Sequence, residues 1–126
     1  MKKMILLFSH NLTDEQKSDA RALFGIEQFI VLPNDLQTLW SNIPATLEDL
    51  SEYLQQIKDF LTENINKNDV VLVQGDFGAT CSMAFFVKSL GGVAVYATTK
   101  RDVVEKEIDG KIVKTSVFEH VRFRVF

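Results

Sequence analysis

A single cysteine, Cys81, in 126 residues leaves no partner for an intrachain disulfide and no thiolate metal cluster. It is expected to be a small buried residue of a helix. Only two histidines are present, His10 and His120, and the acids are scattered, so no spacing suits a metal centre. Any chemistry is therefore expected to proceed without metal or cofactor. Long apolar runs are missing as well. Nothing could span a membrane, and Met4–Phe8 after Lys2-Lys3 is too short for a signal-peptide core, so a cytoplasmic location is expected. A basic excess is also absent: the net charge of −3 argues against a general binder of long nucleic acid. The charge is uneven, however, with acids crowded into Asp14–Glu63 and Lys100, Arg101, Arg122 and Arg124 late in the chain. A small anionic ligand needs only such a local cluster. With no repeat, low-complexity segment or linker, residues 1–126 read as one domain.

What is present is a regular alternation of short elements. Met4–Phe8 reads as a buried strand. Thr13 and Gln16 form a capping-box pattern for a helix that ends at Gly25. Gln28–Leu32 is a second strand stopped by Pro33, and Asp35–Ser41 a short helix. Apolar residues from Leu47 to Ile65 recur at helical spacing, which predicts one long helix starting at Thr46. Val70–Val73 is a buried strand, leading through Gln74–Thr80 into a helix over Cys81–Leu90. Val93–Tyr96 is a fourth strand, and Ala97–Arg101 a loop after it. Val103–Ile108 and Lys111–Val117 flank Asp109-Gly110, a two-residue hairpin signal. Glu119–Phe126 alternates, predicting His120, Arg122 and Arg124 on one face. The expected fold is a three-layer, Rossmann-like α/β domain with a mostly parallel sheet and a C-terminal antiparallel β extension.

Ligands in open α/β sheets bind beyond the strands' carboxyl ends, at a topological switch point. Three segments are expected to meet there. Ser9 and His10 follow the first strand; His10 can serve as acid, base or phosphate donor, or simply pack on the first helix. Gln74, Gly75, Asp76, Phe77, Gly78 and Thr80 form a tight turn at a helix start but match neither a P-loop nor a dinucleotide fingerprint. There Asp76 is either a helix-terminal acid or a catalytic group. Thr98, Thr99, Lys100 and Arg101 offer hydroxyls and cations suited to a phosphodiester. His120, Arg122 and Arg124 either extend that basic patch or shield an edge strand.

Five segments, MILLFSHNLT (Met4–Thr13), LPNDLQTLWSNIP (Leu32–Pro44), VLVQGDFGAT (Val71–Thr80), YATTKR (Tyr96–Arg101) and FEHVRFRVF (Phe118–Phe126), resemble a small CRISPR-associated Csx family, the one numbered twenty, among type III accessory proteins. The resemblance runs in order over essentially the whole chain. It implies a stand-alone CARF-like domain that binds and cleaves cyclic oligoadenylate, chiefly cyclic tetra-adenylate, and so ends an antiviral signal: a ring nuclease. Such a metal-free reaction uses the ribose 2′-OH as nucleophile and leaves a 2′,3′-cyclic phosphate. Ser9 and Lys100 stand where related ring nucleases carry a serine and a lysine. Lys100 and Arg101 are then expected to stabilise phosphate and Ser9 to orient the reacting groups, with His10 as acid or base and Gln74–Thr80 holding the ligand. A two-fold symmetric ring suits a C2 homodimer. Two alternatives remain open: a sensor or sponge that binds without cleaving, and a phosphocarrier of the mannose phosphotransferase type using His10.

Overall fold

The computed structural model describes all residues from Met1 to Phe126. Five strands, β1 (Lys3–Leu7), β2 (Gln28–Val31), β3 (Val70–Val73), β4 (Val93–Ile108) and β5 (Lys111–Val125), form one sheet in the order β2-β1-β3-β4-β5. The first four are parallel; β5 runs antiparallel to β4. Helices α1 (Asp14–Phe24), α2 (Asn34–Ser41), α3 (Gln55–Asn64) and α4 (Phe77–Ser89) complete the chain.

Strand periodicity assigns the two faces. Ile5, Leu7, Val71, Val73 and Ala94 point toward α2, α3 and α4, where they bury Trp40, Ile57, Leu61 and Met83. Met4, Leu6, Val70, Leu72, Val95 and Ala97 point the other way, onto Ala20 of α1. Both faces are covered, which is why β1 and β3 contain no polar residue between Met4 and Leu7 or between Val70 and Val73. Strand order reverses between β1 and β3, so the switch point lies at the carboxyl ends Leu7 and Val73.

Several local expectations hold. Thr13 and Gln16 exchange the two capping-box bonds, and Gly25 ends α1 in the left-handed region at φ 67°. Asp109 and Gly110 both have positive φ, as a type I′ turn needs.

Others are corrected. The long helix from Thr46 is confined to Gln55–Asn64. Ahead of it the Asp49 carboxylate accepts the Ser51 N–H at 2.7 Å, a local turn that competes with helical bonding. Tyr53 still packs, donating its hydroxyl to Leu39 O at 2.6 Å, so the apolar spacing was real while the backbone was not helical. The helix after β3 starts at Phe77 rather than Cys81, and Cys81 is exposed rather than buried. Thr98–Arg101 is no loop: it lies inside the 16-residue β4, which continues with β5 as a two-stranded arm whose residues are almost all exposed. Glu119–Phe126 is the end of β5 rather than a separate strand, and its alternation breaks. Thr98 pairs with Arg122 and Thr99 with His120, leaving Val121 as a bulge residue. The bulge turns His120 to the α1 face, away from Arg122 and Arg124.

Candidate functional site

The carboxyl edge carries two grooves. One, of about 470 Å³, lies over the ends of β1 and β2 and is lined by Phe8, Ser9, His10, Asn11, Lys17 and Gln37 among others. Its loop is held by α2, whose Gln37 Nε2 donates to Phe8 O at 2.8 Å while Ser41 Oγ donates to Ser9 Oγ at 3.1 Å. His10 is exposed, its ring edge-on to Phe8 at 5.4 Å. Lys17 enters because the Thr13 cap fixes the first turn of α1 beside that loop.

The second groove, of about 580 Å³, is mostly apolar and lies over the end of β3, the first residues of β4 at Tyr96 and the last residues of β5. Phe77, Thr80, Cys81, Tyr96 and Phe126 line it. Tyr96 and Phe126 pack ring to ring at 4.9 Å, and Arg124 donates to the Tyr96 hydroxyl at 3.0 Å. Phe77, at the first turn of α4, is 86% exposed. The Thr80 hydroxyl is buried with no hydrogen-bond partner. The exposed rings, unlike that buried hydroxyl, offer a surface for a planar ligand.

The turn between the grooves is mainly a brace. Gln74 N–H donates to Leu7 O at 3.0 Å and its side-chain oxygen accepts Ala97 N–H at 3.1 Å, tying β3 to β1 and β4. Gly75 backs onto Trp40, where a Cβ would lie 3.0 Å from the indole nitrogen. Asp76 accepts Ala79 N–H at 3.0 Å and caps α4, the helix-terminal role. Gly78 sits in the first turn behind it. Of this stretch, Phe77 presents its side chain to the groove.

The late basic residues line neither groove. Lys100 and Arg101 are strand neighbours and so point to opposite faces of the arm. Lys100 shares the face of Tyr96 and Thr98, its ammonium 3.9 Å from Asp102. Arg101 donates twice to Ser116 Oγ, at 3.0 and 3.2 Å. Thr98 donates to Arg122 O at 2.9 Å, which secures the bulge; Thr99 is exposed beside it. Arg122 Nε donates to Phe123 O. His120 is buried against Phe123, with Nε2 2.8 Å from Asp19 Oδ2, clipping β5 onto α1. Sequence reasoning missed Lys17, Tyr96 and Phe126 as groove residues. Lys17 had a signal, the capping box that places it one turn past Thr13, beside the Ser9–Leu12 loop. The aromatic pair had none, because only β4–β5 pairing brings Tyr96 and Phe126 together.

Comparison with known proteins decides the family. A model of the uncharacterized protein MJ1673 family matches residues 2–124. The chain belongs to the MJ1673 family. The uncharacterized protein MJ1673 of Methanocaldococcus jannaschii is 48% identical over 126 residues, covering 100% of this chain and 98% of that protein. No solved structure matches. The family match corrects the membership inferred from the five segments: the chain is an MJ1673-family protein and not a CRISPR-associated Csx protein, and the type III antiviral setting falls with that assignment. Those segments cover β1, α2, β3 with the start of α4, part of β4 and the end of β5, elements common to similarly wound sheets.

Proposed function

We propose that this protein binds a cyclic oligoadenylate along the carboxyl edge of its sheet and cleaves it without metal. The observation that carries the reading is a half-apolar groove that carries Ser9, His10 and Lys17 and an aromatic groove with Phe77, Tyr96 and Phe126, both on the carboxyl edge. A nucleotide needs both kinds of surface: donors and a cation for phosphate, flat rings for a base.

In the reaction, the ribose 2′ oxygen forms a bond to phosphorus as the bond to the 5′ oxygen breaks, giving a linear product ending in a 2′,3′-cyclic phosphate. His10 takes the 2′-OH proton and returns a proton to the leaving oxygen; Ser9 donates to the phosphate and keeps it in line. Lys17, in the groove with Ser9 and His10, stabilises the phosphorane charge. Arg101 braces the arm through Ser116 and takes no part in the chemistry.

Titration calorimetry with cyclic tetra-adenylate tests the binding half. Saturable binding is expected, weakened about tenfold by Phe77→Ala through loss of one stacked base. Absence of heat with cyclic tetra-adenylate and its larger homologues would overturn it.

A further inference from the structure

The β4–β5 arm is out of keeping with a chain that works alone. Two strands without a third, or a helix across them, are marginally stable in water. Yet β4 continues to Ile108, and β5, at the edge of the sheet, pairs with β4 alone. The arm also holds large apolar side chains in water: Ile112 is 70% exposed, Phe118 66% and Val117 48%. An unpaired edge of this length is a template for another strand, and folded proteins blunt or cover such edges.

The sequence of β5 states which strand covers it. A two-fold axis perpendicular to the sheet at Thr115 sets each residue of one β5 against a specific residue of an antiparallel second β5. Val113 then faces Val117, Ile112 faces Phe118, and Lys111 faces Glu119, each pair occurring twice. Within Lys111–Glu119 every large apolar residue meets another, and the acid meets a base, the pairing that stabilises neighbouring strands. Moving the axis by one residue sets Phe118 against Lys114 or Val117 against Lys111. We infer that β5 pairs with β5 of a second copy of this chain about Thr115, joining two five-stranded sheets into one.

Thr115 stands opposite Val104, seven residues past Ala97. At about 3.3 Å per residue the axis lies roughly 23 Å beyond the sheet edge. The two sheet bodies therefore sit at opposite ends of a four-stranded ribbon, and each pair of grooves stays open to its own ligand. This dimer differs from the ring-spanning one expected from the sequence, and it does not depend on the ligand.

Sedimentation of the full chain and oxidative cross-linking test it. The wild type is expected to sediment as a dimer. Thr115→Cys in a Cys81→Ser background is expected to form an interchain disulfide, since residues opposed in antiparallel strands have Cα atoms about 4.5–5.5 Å apart, within disulfide range. Glu119→Lys should weaken dimerisation about tenfold by setting lysine against Lys111 at two places. Adding Lys111→Glu should restore it. A monomeric wild type, a dimer in which the Thr115→Cys variant does not cross-link, or a charge reversal that the second substitution fails to rescue would each overturn the inference.

Discussion

Asp69 shows how one carboxylate can hold the base of a sheet. It sits just before β3, its carboxyl 4% exposed, and accepts from Lys3 Nζ at 2.6 Å, from Asn66 N–H at 2.8 Å and from Lys3 N–H at 3.2 Å. Burial pushes its pKa up, but the hydrogen bonds from Lys3 and Asn66 and the lysine charge outweigh burial, so the carboxyl ionises below its ordinary value. Its folded pKa is depressed, so the stability it gives is fully present above the unfolded value, about 3.9, and is lost as pH falls through the folded one. Asp69→Asn should therefore cost about 2–4 kcal/mol in denaturant unfolding at neutral pH, because Lys3 loses its partner near the core. The difference from wild type should shrink below about pH 3.9, in step with that linkage. An equal deficit at both ends of the pH range would remove the ion pair from the explanation. Gly75 makes a similar point about space. Trp40 is 1% exposed and its indole N–H donates to Gln74 O at 3.2 Å, so it has no room to yield to a Cβ. Gly75→Ala should lower stability by about 1–3 kcal/mol, the range for overpacking a core, and shift the tryptophan fluorescence. An unperturbed emission spectrum with unchanged stability would show that the turn has slack.

Elements whose cause is local were legible in the sequence. The capping box at Thr13, the Asp109-Gly110 turn and the unbroken Val70–Val73 strand each carry their reason within a few residues. Elements whose cause is distant were not. The run from Thr46 has helical apolar spacing, yet an Asx-type turn at Asp49 and the anchoring of Tyr53 on Leu39 and Asn42 govern its backbone. The bulge at Val121 is fixed by pairing with Thr98, far away in sequence, and it separates His120 from the arginines that alternation had grouped with it. The candidate site divides the same way. Ser9, His10 and Gln74–Thr80 were found because strand ends are readable, whereas the aromatic wall exists only through β4–β5 pairing. The arm itself depends on its turn. Gly110 has φ 77°, so Gly110→Val should cost about 1–2 kcal/mol and speed amide exchange in the arm before the sheet body. Uniform exchange across both would mean that arm and body unfold together.

At the scale of the whole molecule, a doubly covered parallel sheet supplies a rigid floor, and the two grooves on its carboxyl edge supply the functional surface. No helix is long and apolar enough to cross a membrane. The 48% identity to MJ1673 of Methanocaldococcus jannaschii over the whole chain makes any activity found here a direct expectation for that protein too. Lys17 and Arg101 separate a cation in the groove from one that braces the arm. Lys17→Ala should slow cleavage of cyclic tetra-adenylate at least about tenfold, as loss of a transition-state charge does. Lys100→Ala and Arg101→Ala should each leave the rate within about twofold, the second while loosening the arm. Losses in the arm variants equal to that of Lys17→Ala would mean that the arm acts on catalysis. The most direct measurement is a single-turnover incubation of excess protein with cyclic tetra-adenylate in the presence of a metal chelator, followed by mass spectrometry of the nucleotide. Linear oligoadenylate ending in a 2′,3′-cyclic phosphate is the expected product, and recovery of the intact ring from protein shown to bind it would contradict the cleavage assigned to Ser9 and His10.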